Sequence, residues 1–230
     1  MSVAGNLKQI EERIRTAAQR VGRNPDSVRL VAVSKTQPAE AVKAALEAGQ
    51  QLFGENYVQE FLEKAQQLPE CVEWHFIGSL QSNKVKYLAG LTTLIHSVDR
   101  LSLAREIDRQ WEKIGRPCDI LLQVNISGEE TKSGTTSENL LQLAREASLL
   151  THLRVRGLMT LPPFFDEPER VRPYFRELKR LAEVLAAEQI PGITMEELSM
   201  GMSGDFEVAI EEGATLVRVG SAIFGERYYH

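Results

Sequence analysis

Lys35 follows the run Val-Arg-Leu-Val-Ala-Val33 by two residues and precedes Thr-Gln-Pro38. Partial desolvation at the end of a buried run favours a neutral amine, the form that attacks an aldehyde. A solvated loop lysine is the plainer account of its position alone. A second chemistry is written late in the chain. Leu-Ser199-Met-Gly201-Met-Ser203-Gly-Asp205 brings two hydroxyls, two glycines and several backbone amides together ahead of a helical stretch. That is the composition of an anion cradle, with a Ser203 helix cap as the alternative. Nearby, Arg218 and Gly220 share one face of an apolar strand by alternation. An arginine inside such a strand is costly unless it meets an anion or an acceptor. Gly220-Ser221 then repeats the small-residue chemistry of the earlier loop.

Weaker candidates lie between these ends. Asn56 suits either a hydrogen bond at a pocket or the cap of the helix after it. Gly78-Ser79 could admit a ligand to the backbone and Lys84 could meet an anion, or Ser82 could simply cap a turn. Met159 and Thr160 read as pocket wall or as core. His75, His96, His152 and His230 pair with no Ser or Cys at an interpretable spacing, so they receive no chemistry. Cys71 and Cys118 cannot make a disulfide scaffold or a zinc set, and both open apolar runs, which predicts buried thiols.

The elements that must position these residues alternate along the chain. An amphipathic helix over 3–21, with Leu7, Ile10 and Ile14 on one face, ends at Gly22 and Pro25. Strands are predicted at 28–33, 51–53, 73–77, 93–98, 119–125, 153–158, 194–198 and 215–219. Helices are predicted at 38–48, 56–68, 83–88, 100–114, 137–149, 167–188 and 205–211. Eight strands separated by helices argue for a parallel sheet. No Gly-rich dinucleotide turn follows the first strand, which weighs against an open doubly wound sheet. The expectation is one (β/α)8 TIM-type barrel over 1–230 with an extra N-terminal helix. Barrel sites lie at the C-terminal ends of the strands, with phosphate often held after strands seven and eight. Lys35 and the two cradle segments occupy those positions.

Bulk properties narrow the function classes. A chain of 230 residues with net charge -5 and no long basic run is a poor nucleic-acid binder. The first twenty residues lack a signal-peptide apolar stretch, and no run approaches the roughly 18 apolar residues of a membrane helix. A cytosolic protein without membrane contact is expected.

The motifs Val-Ala-Val-Ser-Lys35, Phe-Gly-Glu-Asn56, Trp-His-Phe-Ile-Gly-Ser-Leu-Gln-Ser-Asn-Lys84, Gly-Leu-Met159-Thr, Leu-Ser199-Met-Gly-Met-Ser203 and Val-Arg218-Val-Gly-Ser-Ala-Ile-Phe-Gly225 together resemble the pyridoxal phosphate homeostasis protein family. Its members are barrels similar to the N-terminal domain of alanine racemase. The resemblance implies pyridoxal 5′-phosphate (PLP) held as a Schiff base on Lys35, with Asn56 and Met159 at the cofactor. It implies Ser199, Met200, Gly201, Ser203, Gly220 and Ser221 around the phosphate, and Arg218 at either the ring nitrogen or the phosphate. It also implies a monomeric carrier that influences PLP supply and amino/keto-acid balance, with PLP-dependent apo-enzymes as candidate partners. No catalytic residue and no metal ligand are assigned. The competing readings are a PLP-dependent amino-acid racemase and a sugar-phosphate barrel without PLP. Against racemisation, the barrel takes up the 230 residues, leaving none for the second domain of alanine racemase. The late tyrosines, Tyr228 and Tyr229, offer no evident second base.

Overall fold

The computed structural model describes residues 2–129 and 131–225; Tyr228, Tyr229 and His230 lie outside them. Eight parallel strands close in sequence order: β1 (Arg29–Val33), β2 (Leu52–Glu55), β3 (Glu73–Phe76), β4 (Leu94–Val98), β5 (Cys118–Gln123), β6 (Leu153–Met159), β7 (Ile193–Ser199) and β8 (Leu216–Val219). β8 returns to β1 with Val31 opposite Arg218. The helices α1 (Val3–Arg20), α2 (Ala39–Glu47), α3 (Val58–Gln67), α4 (Leu101–Glu112), α5 (Ser137–Ala147), α6 (Arg172–Ala187), α7 (Phe206–Glu211) and the short α8 (Ser221–Phe224) form the outer layer.

Period-two alternation divides most of the strands between two apolar cores. Ala32, Phe53, Phe76, Ile95, Leu122, Leu158 and Val217 face the helices in the large outer core. Val31, Leu52, Leu94, Leu121, Met159 and Leu216 form a separate small cluster inside the barrel. α1 buries Leu7, Ile10 and Ile14 as its spacing predicts, and Asn6 Nδ2 ties it to the Ile223 carbonyl at 2.8 Å.

Three local expectations need correction. The stretch after β3 is a 3-10 helix, Ser82–Tyr87, capped by Gln81 without a side-chain bond, so Ser82 is not the cap. The long helix begins as a 3-10 turn at Pro168–Val171 and becomes α-helical only at Arg172; Pro168 and Pro173 suit the first turns of two short starts better than one long helix. Cys118 is buried but Cys71 is exposed, because it sits in the turn before β3.

Candidate functional site

The upper end of the barrel, where the strands finish, opens into a cavity of about 640 Å³. Lys35, Asn56, Ser203, Arg218, Gly220 and Ser221 line it together, with Ile77, Leu161, Phe164 and Phe165 as its apolar wall. Six of the ten sequence-predicted residues therefore meet in one place. Phe164 is 78% exposed at the rim.

Each polar residue owes its place to a local cause. Lys35 leaves β1 in a turn whose next residue, Thr36, has φ 63°, and the Thr36 amide is held by Glu60 Oε2 at 2.7 Å. Beneath this turn Ser34 Oγ donates to Glu55 Oε1 at 2.6 Å, and Lys64 Nζ donates to the same oxygen and to the Ser34 carbonyl at 2.7 Å. Burial outweighs the Lys64 charge and pushes the Glu55 carboxyl above its usual range. Asn56 does not cap α3; Tyr57 takes that position. The Asn56 backbone passes so close to Gly78 that a Cβ there would lie 2.2 Å from the Asn56 carbonyl oxygen. Asn56 Oδ1 is thus fixed at the cavity, buried and without a hydrogen-bond partner, which is costly unless a ligand supplies a donor.

Arg218 is 3% exposed. It donates through Nη1 to Ser199 Oγ and through Nη2 to the Thr160 carbonyl at 2.9 Å. Both acceptors are neutral, and no carboxylate pairs with it among the described residues. Desolvation lowers its pKa to about 10, opposed by the charge of Asp205, so it remains a cation at neutral pH.

The two late loops converge through Ser203, whose Oγ accepts from the Gly220 amide at 3.3 Å and the Ala222 amide at 3.5 Å. Ser203 therefore does not cap α7. Asp205 stands at that position, and its Oδ1 accepts from the Met202 amide at 2.6 Å. The amides of Ser203 and Gly204 carry no hydrogen bond among the described residues. Gly201 has φ 92°, and a Cβ there would come within 2.6 Å of the Ala209 side chain; its contribution is the turn itself.

Four predicted residues stand off the cavity wall. Met159 belongs to the barrel interior. Met200 is fully buried in the outer core, and its amide bonds the Leu216 carbonyl at 3.2 Å. Gly201 lies behind the cradle. The Ser199 hydroxyl turns inward to Arg218 and to His96 Nδ1 at 2.8 Å. His96 in turn meets His75 at 2.9 Å. These histidines escaped sequence reasoning because Ser199 is 103 residues from His96. Period-two placement of both on inward strand faces was the one available signal.

The alanine racemase N-terminal domain family model matches residues 5–228. The pyridoxal phosphate homeostasis protein of Aquifex aeolicus is 48% identical over 230 residues, the whole of both chains. The chain belongs to the pyridoxal phosphate homeostasis protein family. The member from Escherichia coli K12 is 43% identical, over 99% of this chain and 97% of that one. PipY of Synechococcus elongatus, solved with PLP bound, has 38% identity and a TM-score of 0.80, covering 94% of this chain and 100% of its own. An alanine racemase of Clostridium difficile superposes with a TM-score of 0.75 at 16% identity, over 98% of this chain and 57% of its own. That likeness is one of fold, and it matches the closed parallel barrel described above.

Proposed function

We propose that this chain binds PLP in the upper cavity, linked to the Lys35 amine, and works as a cytosolic, monomeric carrier and regulator of the cofactor. The observation that carries the reading is the shared cavity: an amine, an unpartnered buried amide oxygen, a guanidinium and a hydroxyl-and-amide cradle line one space. These residues fit a small phosphorylated aldehyde.

When bound, PLP supplies an aldehyde that an amine can hold covalently and a ring that can draw electrons from an attached amino acid. Lys35 provides the amine. Ser203, Gly204, Gly220 and Ser221 provide hydroxyls and amides for the phosphate. Asn56 Oδ1 accepts a hydrogen bond at the cavity wall. We assign Arg218 to the ring nitrogen, where its charge disfavours protonation and so weakens electron withdrawal. That suits storage better than turnover, and transfer to PLP-dependent apo-enzymes is the corresponding role. Lys64 and Glu55 bind no ligand in this scheme; they hold the Ser34–Lys35 turn.

The test is spectroscopic. Addition of PLP should give an absorbance band near the visible–ultraviolet boundary, and borohydride should fix the mass of the adduct on Lys35. Lys35→Ala should abolish the adduct while the circular dichroism of the fold is retained. An adduct on another residue, or none, would overturn the assignment. Robust racemisation of an amino-acid panel, lost in Lys35→Ala, would overturn the carrier role.

A further inference from the structure

A line of polar side chains crosses the barrel interior below the upper cavity, and the function above uses only its last member. Arg218 Nη1 donates to Ser199 Oγ. Ser199 Oγ lies 2.8 Å from His96 Nδ1, and His96 Nε2 lies 2.9 Å from His75 Nδ1. His75 Nε2 lies 3.4 Å from Glu73 Oε1. Ser199, His96 and His75 are buried. Glu73 stands at a second cavity, of about 280 Å³, at the opposite mouth of the barrel. The members come from β3, β4, β7 and β8, so closure of the barrel alone brings them together.

The hydrogens on this line have one consistent order. Glu73 is ionised, its carboxyl held below the usual range first by the hydrogen bond from His75 and also by Arg29. Burial holds both imidazoles neutral, so each carries a single N–H. His75 is faced by Glu73 from its own strand, by Arg29 from β1 and by Glu197 from β7; His96 is faced by His75, Arg218 and Arg29. A carboxylate 3.4 Å from His75 Nε2 favours the hydrogen there, leaving Nδ1 a bare acceptor. It accepts from His96 Nε2–H, which leaves His96 Nδ1 bare. Ser199 then donates its hydrogen to His96 and turns its lone pairs to Arg218, which can only donate. The opposite order sets a bare nitrogen against Glu73 and takes away the one acceptor that the described residues offer the Ser199 hydrogen.

We infer that Glu73, His75, His96 and Ser199 are positioning residues for Arg218: a one-directional line of hydrogen bonds joins Arg218, Ser199, His96 and His75, and the Glu73 carboxylate, 3.4 Å from His75 Nε2 at the far mouth of the barrel, orients it electrostatically. The effect on PLP rests on the function proposed above; the order of the hydrogens is a property of the protein alone.

The two parts are tested separately. Nitrogen-resolved imidazole spectra of the PLP-free wild-type protein should show His75 and His96 as neutral Nε2–H tautomers at neutral pH. A His96 protonated on Nδ1, or a cationic one, would overturn the chain without any variant being made. In Glu73→Gln, at a half-exposed site, both histidines should become tautomer mixtures, and Glu73→Asp should restore them. PLP release from Glu73→Gln should be faster by about 2-fold, the scale of one charge interaction at a half-exposed site. Unchanged tautomers, or unchanged release from a protein that does hold PLP, would overturn the inference. A wild-type protein that takes up no PLP would overturn the cofactor reading, with the tautomer spectra still deciding the chain.

Discussion

At the lower mouth of the barrel, Arg29 reaches Glu197 at 2.7 Å and Glu73 at 3.8 Å. Thr215 Oγ1 donates to Glu197 Oε2 at 2.6 Å and accepts from the Leu198 amide at 2.9 Å. Arg154 closes on Asp119 at 2.5 Å, and Arg156 pairs with Glu196. At the upper mouth the same kinds of group are left open. Arg218 has only neutral acceptors among the described residues, and Asn56 Oδ1 is buried without a partner there. A mouth whose charges are closed among themselves has nothing left for a ligand. A mouth that keeps buried polar groups unmatched is destabilised by them and is arranged for something outside the chain.

Substitutions at the two mouths should therefore separate stability from binding. The largest effect is expected from Lys64→Met, which strands the buried Glu55 carboxylate. Urea unfolding should show a loss of about 3–5 kcal/mol, and a loss below ~1 kcal/mol would mean that this pair does not order the rim. Arg218→Gln comes next and should split the two readouts. PLP retention should fall about 10- to 100-fold, the loss of one charged hydrogen-bonding group. The PLP-free protein should be unchanged or more stable by about 1 kcal/mol, because a desolvated cation has gone. Equal losses in both would make Arg218 a structural residue. At the lower mouth, Arg29→Met removes a half-exposed ion pair. It should cost at most ~1 kcal/mol, shrink further in high salt and leave PLP uptake unaltered.

The smallest effect is a matter of pH. The Glu73 carboxyl titrates lower in the folded chain than in the unfolded one, chiefly because of its His75 bond. Its stabilisation is therefore present above the unfolded carboxylate pKa and is lost as pH falls through the lower folded value. Wild type should exceed Glu73→Gln by a few tenths of a kcal/mol at neutral pH, given the exposure of the site. The two curves should merge in acid; a gap that widens in acid would reverse the assignment.

Much of the upper mouth was legible in the chain. Arg218, Ser203 and Gly220-Ser221 follow from strand ends and composition, whereas the position of Lys35 alone suited a solvated loop lysine and the family resemblance singled it out; all line the cavity. Asn56 was ambiguous because an asparagine before a helix suits a cap equally well; the close pass over Gly78 removed that ambiguity. Ser199 and Met200 carried the same local pattern as Ser203, yet they point into the barrel and into the outer core. A loop composition indicates which groups are present but not which way each one turns.

The chain by itself determined the alternation of strands and helices, the parallel barrel that follows from it, and the residues at its upper rim. Those are local or periodic properties, set by side chains a few positions apart. The tertiary structure alone decided the stranding of the Asn56 oxygen, the Glu55–Lys64 pair and the line from Glu73 through His75, His96 and Ser199 to Arg218. Each joins strands or helices that meet only when the sheet closes, and no periodicity records such a meeting.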